Sequence, residues 1–422
     1  MFSAFRLSFA FTMLAMCWMA LPTWTGCPLA VLVNENCPLV FIEPHWDYVD
    51  GANPGDVKCI ISPDGKHIYV ERHANYRLLV YERDSDSGQV FLTQEIACDV
   101  PAGMLIAPDG KHVYVSCGGV MGGRVKKWVQ GYRRDKTTGK IEPLPGAGLD
   151  DLRGARGILD MAASRDGRTV YALGDCSLFV LSRDPESGKL DIAHVFQDDN
   201  AADLIDGTTI PNAPTIAGAE IADGLYSAMN IAITPDDASV YTAGYGDNGV
   251  GVFHRDPQTG ALAFVEAIKE FPNTNRYGLS MPRDVDVSPD GLHVYVAATG
   301  GYLAGFRRDP ATGKLTWIER FMDERNGVRG LDQANSVVVS PSGKDVFVSS
   351  SGKGGAIARF ARDPASGRLT FAGAVMDGEC DCVTLKRSFW NAISPDGRHL
   401  YNCSQEHSVG VFAIPELNDA NK

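Results

Sequence analysis

Ser62-Pro63-Asp64-Gly65-Lys66-His67-Ile68-Tyr69 returns as Ala107-Pro108-Asp109-Gly110-Lys111-His112-Val113-Tyr114. Looser copies stand at Ser164-Arg165-Asp166-Gly167, Thr234-Pro235-Asp236-Asp237, Ser288-Pro289-Asp290-Gly291, Ser340-Pro341-Ser342-Gly343 and Ser394-Pro395-Asp396-Gly397, making seven. A second phrase trails the first six: Arg83-Asp84, Arg134-Asp135, Arg183-Asp184, Arg255-Asp256, Arg308-Asp309 and Arg362-Asp363, each with Gly four residues past the Asp. A repeat of this length sets the architecture before any local reading does.

One unit shows what the phrases are. Asp284-Val285-Asp286-Val287-Ser288 alternates like a strand, and Pro289-Asp290-Gly291 is turn chemistry. His293 to Ala297 is β-branched and aromatic, Leu303 to Phe306 reads as a third strand, and Leu315 to Glu319 as a fourth after the turn at Asp309–Gly313. Four short strands repeated seven times predict an all-β, seven-bladed β-propeller over residues 38–415, with 416–422 as a tail. The seventh unit lacks a fourth strand, whereas Pro38 to Glu43 matches Ala261 to Glu266. Residues 38–43 are therefore expected to complete the last blade and remove the free edges of an open ring.

The chain has 422 residues, 44% hydrophobic and 22% charged, with a net charge of −13. That balance disfavours nucleic acid and anionic membranes as partners. Residues 1–26 read as an export signal, with Arg6 the only charge before an apolar run. An uncleaved anchor and lipidation at Cys27 are the other readings. The expected location is secreted, periplasmic or at the cell surface, and the expected state a monomer. No Gly-rich phosphate loop, nucleophile elbow, His-Glu-x-x-His or Cys-x-x-Cys-His occurs, which argues against nucleotide-dependent enzymes, serine hydrolases, zinc proteases and c-type haem proteins.

The paired phrases resemble the seven-bladed lactonase-like propellers, which include 6-phosphogluconolactonases and YVTN-type surface propellers. The resemblance implies a lactone hydrolase with its site at the channel mouth, on the face opposite the repeated turns. Relatives often carry Gly-Pro-Arg-His where this chain has Met281-Pro282-Arg283-Asp284. Arginine is kept and histidine is replaced by aspartate.

On that face His45, in the join entering blade one, His73 and His407 are left once the four periodic histidines and His194 and His254, in third or fourth strands, are set aside, and they are candidate bases or ligands. Five residues before each phrase proline, where inner strands start, stand Lys58, Gly103, Asp160, Asn230, Asp284, Ser336 and Trp390. Asp160, Asn230 and Asp284 come from consecutive blades and are candidate ligands for Ca²⁺ or another divalent cation. The bland reading is that they bond strand-end backbone or channel water. Arg283, Arg156 and Arg387 form a candidate anion-binding set.

Layout suggests Cys98–Cys117 and Cys382–Cys403 disulfides, or Cys380–Cys403, with Cys59 a buried free thiol. The long loop 197–227 is a candidate lid. Two functions follow: an exported hydrolase of a sugar or organic-acid lactone, or a non-catalytic propeller binding a protein or glycan.

Overall fold

A computed structural model describes residues 37–46, 57–72, 76–98, 101–117, 129–149, 157–199, 216, 218–270, 274–380, 382, 384–405 and 408–416, leaving aside the side chains of 43–46, 117 and 408. Its strands form seven sheets, each antiparallel through its first four strands. The blades open with inner strands Val57–Ile61, Pro101–Ile106, Ile158–Ala163, Ala228–Ile233, Pro282–Val287, Ala334–Val339 and Ser388–Ile393. Each inner strand packs on the next, and the seventh on the first, so the ring is closed. Seven apolar clusters fill the gaps between blades, for example Leu173, Ile231 and Phe253 at the third seam.

The last blade borrows its outer strand from the N-terminus. Val40–Trp46 pairs antiparallel with Ser408–Ala413. The strand starts two residues later than expected and runs three further, so His45 lies within it, opposite Val409. That corrects the placing of His45 in the entry to blade one. The third blade adds a fifth, parallel strand, Glu220–Ala222, from the end of the long loop. Part of the candidate lid is thus built into a sheet, and 200–215 and 217 lie outside the described residues.

The two repeated phrases prove to be halves of one fastening. Asp64 caps its own turn by accepting from Lys66 N, and Gly65 takes φ 69°. Arg134, from the second phrase of the next blade, then crosses the seam. Its Nε donates to Tyr69 Oη at 2.7 Å, Nη1 to the Gly65-equivalent Gly110 carbonyl at 3.2 Å, and Nη2 to Asp64 Oδ2 at 3.2 Å and His67 Nδ1 at 2.9 Å. Tyr69 Oη donates in turn to the Gly139 carbonyl of that next blade at 2.5 Å. The glycine after the second phrase must be glycine twice over. Gly139 has φ 70°, and a Cβ there would sit 2.1 Å from the His67 ring.

The same His–Arg bond recurs as Arg183 to His112, Arg362 to His293 and Arg83 to His399. Where Ser239 replaces histidine, Arg308 donates to its hydroxyl instead. At the seam between blades three and four Thr169 stands in the histidine position, and Arg255 donates to Tyr171 Oη and the Asp237 carbonyl. The seam between blades six and seven departs furthest among the described residues. There Ser342, Asp345 and Phe347 replace Asp, His and Tyr, and Ile414 stands where the arginine would be. Arg359 of blade six takes over, donating to Asp345 Oδ1 at 2.8 Å, the Pro38 carbonyl at 2.9 Å and the Pro415 carbonyl at 2.8 Å. One guanidinium therefore ties both ends of the propeller to blade six.

A disulfide joins Cys37 to Cys380 beside it. This overturns the expected Cys382–Cys403 pairing and its Cys380–Cys403 variant. Cys382 and Cys403 keep their thiols, Cys382 facing Thr384 and Cys403 facing Cys59 inside the seam with blade one. Cys59 is a buried thiol, as expected. The Cys98–Cys117 pairing turns on the Cys117 side chain, outside the described residues.

Candidate functional site at the channel mouth

Six of the seven inner strands begin with a β-bulge. The pairing skips Ala102, Leu159, Met229, Arg283, Asn335 and Phe389 in turn. A bulge adds one residue, bends the strand and re-aims the side chains beside it. In four blades the residue before the strand is a non-glycine held left-handed: Ser227, Met281, Gln333 and Arg387, at φ 48° to 56°. Strain of this kind costs about 1–3 kcal/mol per residue and persists where surrounding structure enforces it. Here the enforcement is visible: the Met281, Gln333 and Arg387 carbonyls accept from Thr299 N, Ser351 N and Gln405 N.

The residue after each bulge belongs to a ring. Asp160 Oδ2 accepts from Asn230 Nδ2 at 2.8 Å and from Ile231 N at 3.3 Å. Asn230 Oδ1 accepts from Val285 N at 3.3 Å, Asp284 Oδ2 from Val337 N at 2.8 Å, and Ser336 Oγ from Asn391 N at 3.3 Å. Asp160, Asn230, Asp284 and Ser336 thus each satisfy an N–H on the inner strand of the following blade, which a narrow channel would otherwise leave bare. Asp286 repeats the device one level deeper, on Val339 N at 2.8 Å.

Lys58 completes the ring from blade one. Its Nζ bonds Asp160 Oδ1, two blades away, and lies 4.2 Å from the centre of the Trp390 ring. The bulge residues add a second cation. The Arg283 guanidinium stands 4.5 Å over the Phe389 ring, reaching from blade five to blade seven past Asn335, whose Nδ2 donates to the Ser388 carbonyl. The mouth therefore gathers Lys58, Arg283, Asp160, Asp284, Trp390 and Phe389.

Burial decides the electrostatics. Asp284 is 3% exposed, and loss of water pushes its carboxyl up to about 7, with Asp286 adding to the rise while the Val337 N–H and Lys58 oppose it. Burial also raises Asp286, to about 6. A carboxyl titrating near neutrality can take and return a proton at working pH.

Asp160 and Asn230 are brought together, and Asp284 joins them through Val285, whose N–H bonds Asn230 Oδ1. As arranged, their oxygens are already engaged by protein donors. Every one of them accepts a protein N–H, and the Lys58 ammonium already supplies positive charge to Asp160. Arg387 is exposed on the loop entering blade seven. Arg156, His73 and His407 lie outside the described residues, as does the His45 side chain. A separate trio, Asp198, Asp223 and Asp247, converges near blade four, where Lys269 Nζ bonds Asp223 and Asp247.

Sequence reasoning placed Lys58 on the ring but gave it no role. The signal was present, because Lys58 is the one cation at that repeat position. Phe389 and the bulges carried no sequence signal of their own.

A sequence profile of the family described as Lactonase, 7-bladed beta-propeller matches residues 42–148 and 191–329. No curated protein matches the chain. Among solved structures, a periplasmic gluconolactonase of Pseudomonas aeruginosa is 19% identical, with a TM-score of 0.56 over 75% of this chain and 84% of that one. A protein of Bacteroides uniformis provisionally assigned as a 6-phosphogluconolactonase is 17% identical, with a TM-score of 0.60 over 86% of this chain and 92% of its own. A protein from Lactobacillus plantarum is 19% identical, with a TM-score of 0.55 over 76% and 84%. Identities this low speak for the shared fold.

Proposed function

Because the chain belongs to the lactonase family of seven-bladed β-propellers, we propose that it hydrolyses a sugar or organic-acid lactone at the channel mouth. The observation that carries this is Asp284: a buried carboxyl raised to about 7, set beside Arg283 and within the field of Lys58. Opening a lactone needs a base for water, positive charge for the oxyanion, and a proton for the departing ring oxygen.

In this reading Asp284 takes a proton from water as the oxygen attacks the lactone carbonyl carbon. Lys58 stabilises the oxyanion, the ring C–O bond breaks, and Asp284 returns its proton to the released alkoxide. Both Asp284 oxygens accept one backbone N–H and retain a lone pair for water. Arg283 orients the acid group of the substrate, and Trp390 and Phe389 give the mouth its apolar wall. No step is routed through a metal. Export of the protein is part of the proposal, supported by the apolar leader and by the Cys37–Cys380 disulfide.

The test is acid release by purified protein from a panel of aldonic and carboxylated lactones, followed at constant pH, beside an Asp284→Asn variant. Hydrolysis by the native chain that the variant lacks supports the reading. Equal rates for both, across the panel, overturn it.

A further inference from the structure

The seam between blades seven and one carries a feature that the lactone reading does not use. Cys59, on the inner strand of blade one, and Cys403, on the second strand of blade seven, are 1% and 0% exposed and share one apolar cluster. The Cys403 thiol neighbours the Cys59 thiol within that cluster and acts on its proton. The two lie 344 positions apart in the chain and come together only when the ring closes.

The repeat shows that this seam is built differently from its equivalents. Cys59 follows the ring residue Lys58, and Cys403 pairs with the ring residue Trp390 of the preceding blade. The same two positions hold Leu173 and Ile231 at one seam, Ala243 and Val285 at the next, and Ala297 and Val337 at a third. At the remaining seams the place is held by Glu71 and Met104, Ser116 and Met161, and Ser349 and Asn391, so the position accepts varied side chains and packing alone does not call for sulfur. Two neighbouring cysteines on facing positions of one cluster put sulfur on both sides of the seam, where a disulfide could join the strands. Cys37–Cys380, at the neighbouring seam, is a disulfide of the same long-range kind.

We propose that Cys59 and Cys403 are a disulfide-forming pair that covalently closes blade seven onto blade one. The Cys59 thiolate attacks the disulfide of a small-molecule or protein thiol oxidant, releasing one thiol and leaving a mixed disulfide. The Cys403 thiolate then attacks the Cys59 sulfur and releases the second thiol, so two protein thiols become one disulfide while the oxidant disulfide becomes two thiols. The neighbouring Cys403 thiol, then burial, raises the Cys59 thiol well above its ordinary range, and burial shuts both sulfurs away from solvent. Exchange therefore belongs to the folding chain, before the seam closes.

The experiment refolds the full chain in a mixture of oxidised and reduced glutathione, denatures it in iodoacetamide, and maps its peptides by mass spectrometry. The expected result is a Cys59–Cys403 cross-linked peptide two hydrogens lighter than the reduced pair. In a Cys37→Ser/Cys117→Ser/Cys380→Ser background that form should melt at higher temperature than protein refolded under reductant, compared on samples whose peptide maps differ in this linkage alone. Cys37–Cys380 serves as the internal sign that the mixture oxidises. Alkylation of both Cys59 and Cys403 while Cys37–Cys380 is linked overturns the proposal. So does linkage of either one to a different cysteine.

Discussion

Arg134 Nη2 meets His67 Nδ1 at 2.9 Å across the boundary between the first two blades, and three further blade boundaries repeat that contact. Guanidinium can only donate, so Nδ1 must be the unprotonated ring nitrogen. Removing Arg134 leaves Asp64, His67 and Tyr69 without their shared partner at a buried seam. Arg134→Ala should lose about 3 kcal/mol of stability, whereas Arg133→Ala, on an exposed neighbour, should stay within about 0.5 kcal/mol. Urea unfolding of the two variants checks the difference.

Those histidines also set an acid limit. Burial, then the facing arginine, holds His67, His112, His293 and His399 below the ordinary value of 6.5. The unfolded chain thus binds protons near pH 6 that the folded chain refuses. Stability from these groups is complete above about 6.5 and falls as pH drops below it. Asp284 and Asp286 act the other way, since their raised values, about 7 and about 6, weaken the fold as pH rises from 3.8. Double replacement by Asn should remove that second slope and leave the histidine slope, read from melting temperatures between pH 4 and 8.

The closing seam should depend on one side chain. Arg359 holds Asp345 and the carbonyls of Pro38 and Pro415 through three separate nitrogens. Lysine has one nitrogen and cannot span them. Arg359→Lys should lower the melting temperature and speed proteolysis near residue 38. Reduction of Cys37–Cys380 should deepen the loss, since a bond across 343 residues restrains the unfolded chain strongly, by about 2–5 kcal/mol.

Much of this was legible in the phrases. Pro-Asp-Gly and Asp-x-x-x-Gly are local turns, so sequence alone located the hairpins, the blades and the strand that closes the last one. The bond between the phrases was not legible, because Arg134 and His67 meet through the packing of neighbouring blades. Likewise the bulge at Arg283 is a matter of register, which composition does not reveal, and it extends that side chain over Phe389 two blades away. Cys380 misled for a similar reason. Its partner, Cys37, precedes the propeller in sequence and reaches it only because residues 40–46 return to the last blade.

Lys58 should tune the base. Its charge opposes the rise of the Asp284 carboxyl, so removing it moves that carboxyl upward. In the lactonase reading, rate follows the ionised form of Asp284 and climbs as pH passes through about 7. Lys58→Met should therefore shift the climb to higher pH and lower its plateau by about 10²-fold through loss of oxyanion stabilisation. It also strands Asp160, a buried partner, so the variant is best made with Asp160→Asn to keep the ring neutral. A pH–rate profile of the double variant separates the two roles. A lowered plateau with an unmoved midpoint would confine Lys58 to the oxyanion, whereas a moved midpoint ties it to the proton on Asp284.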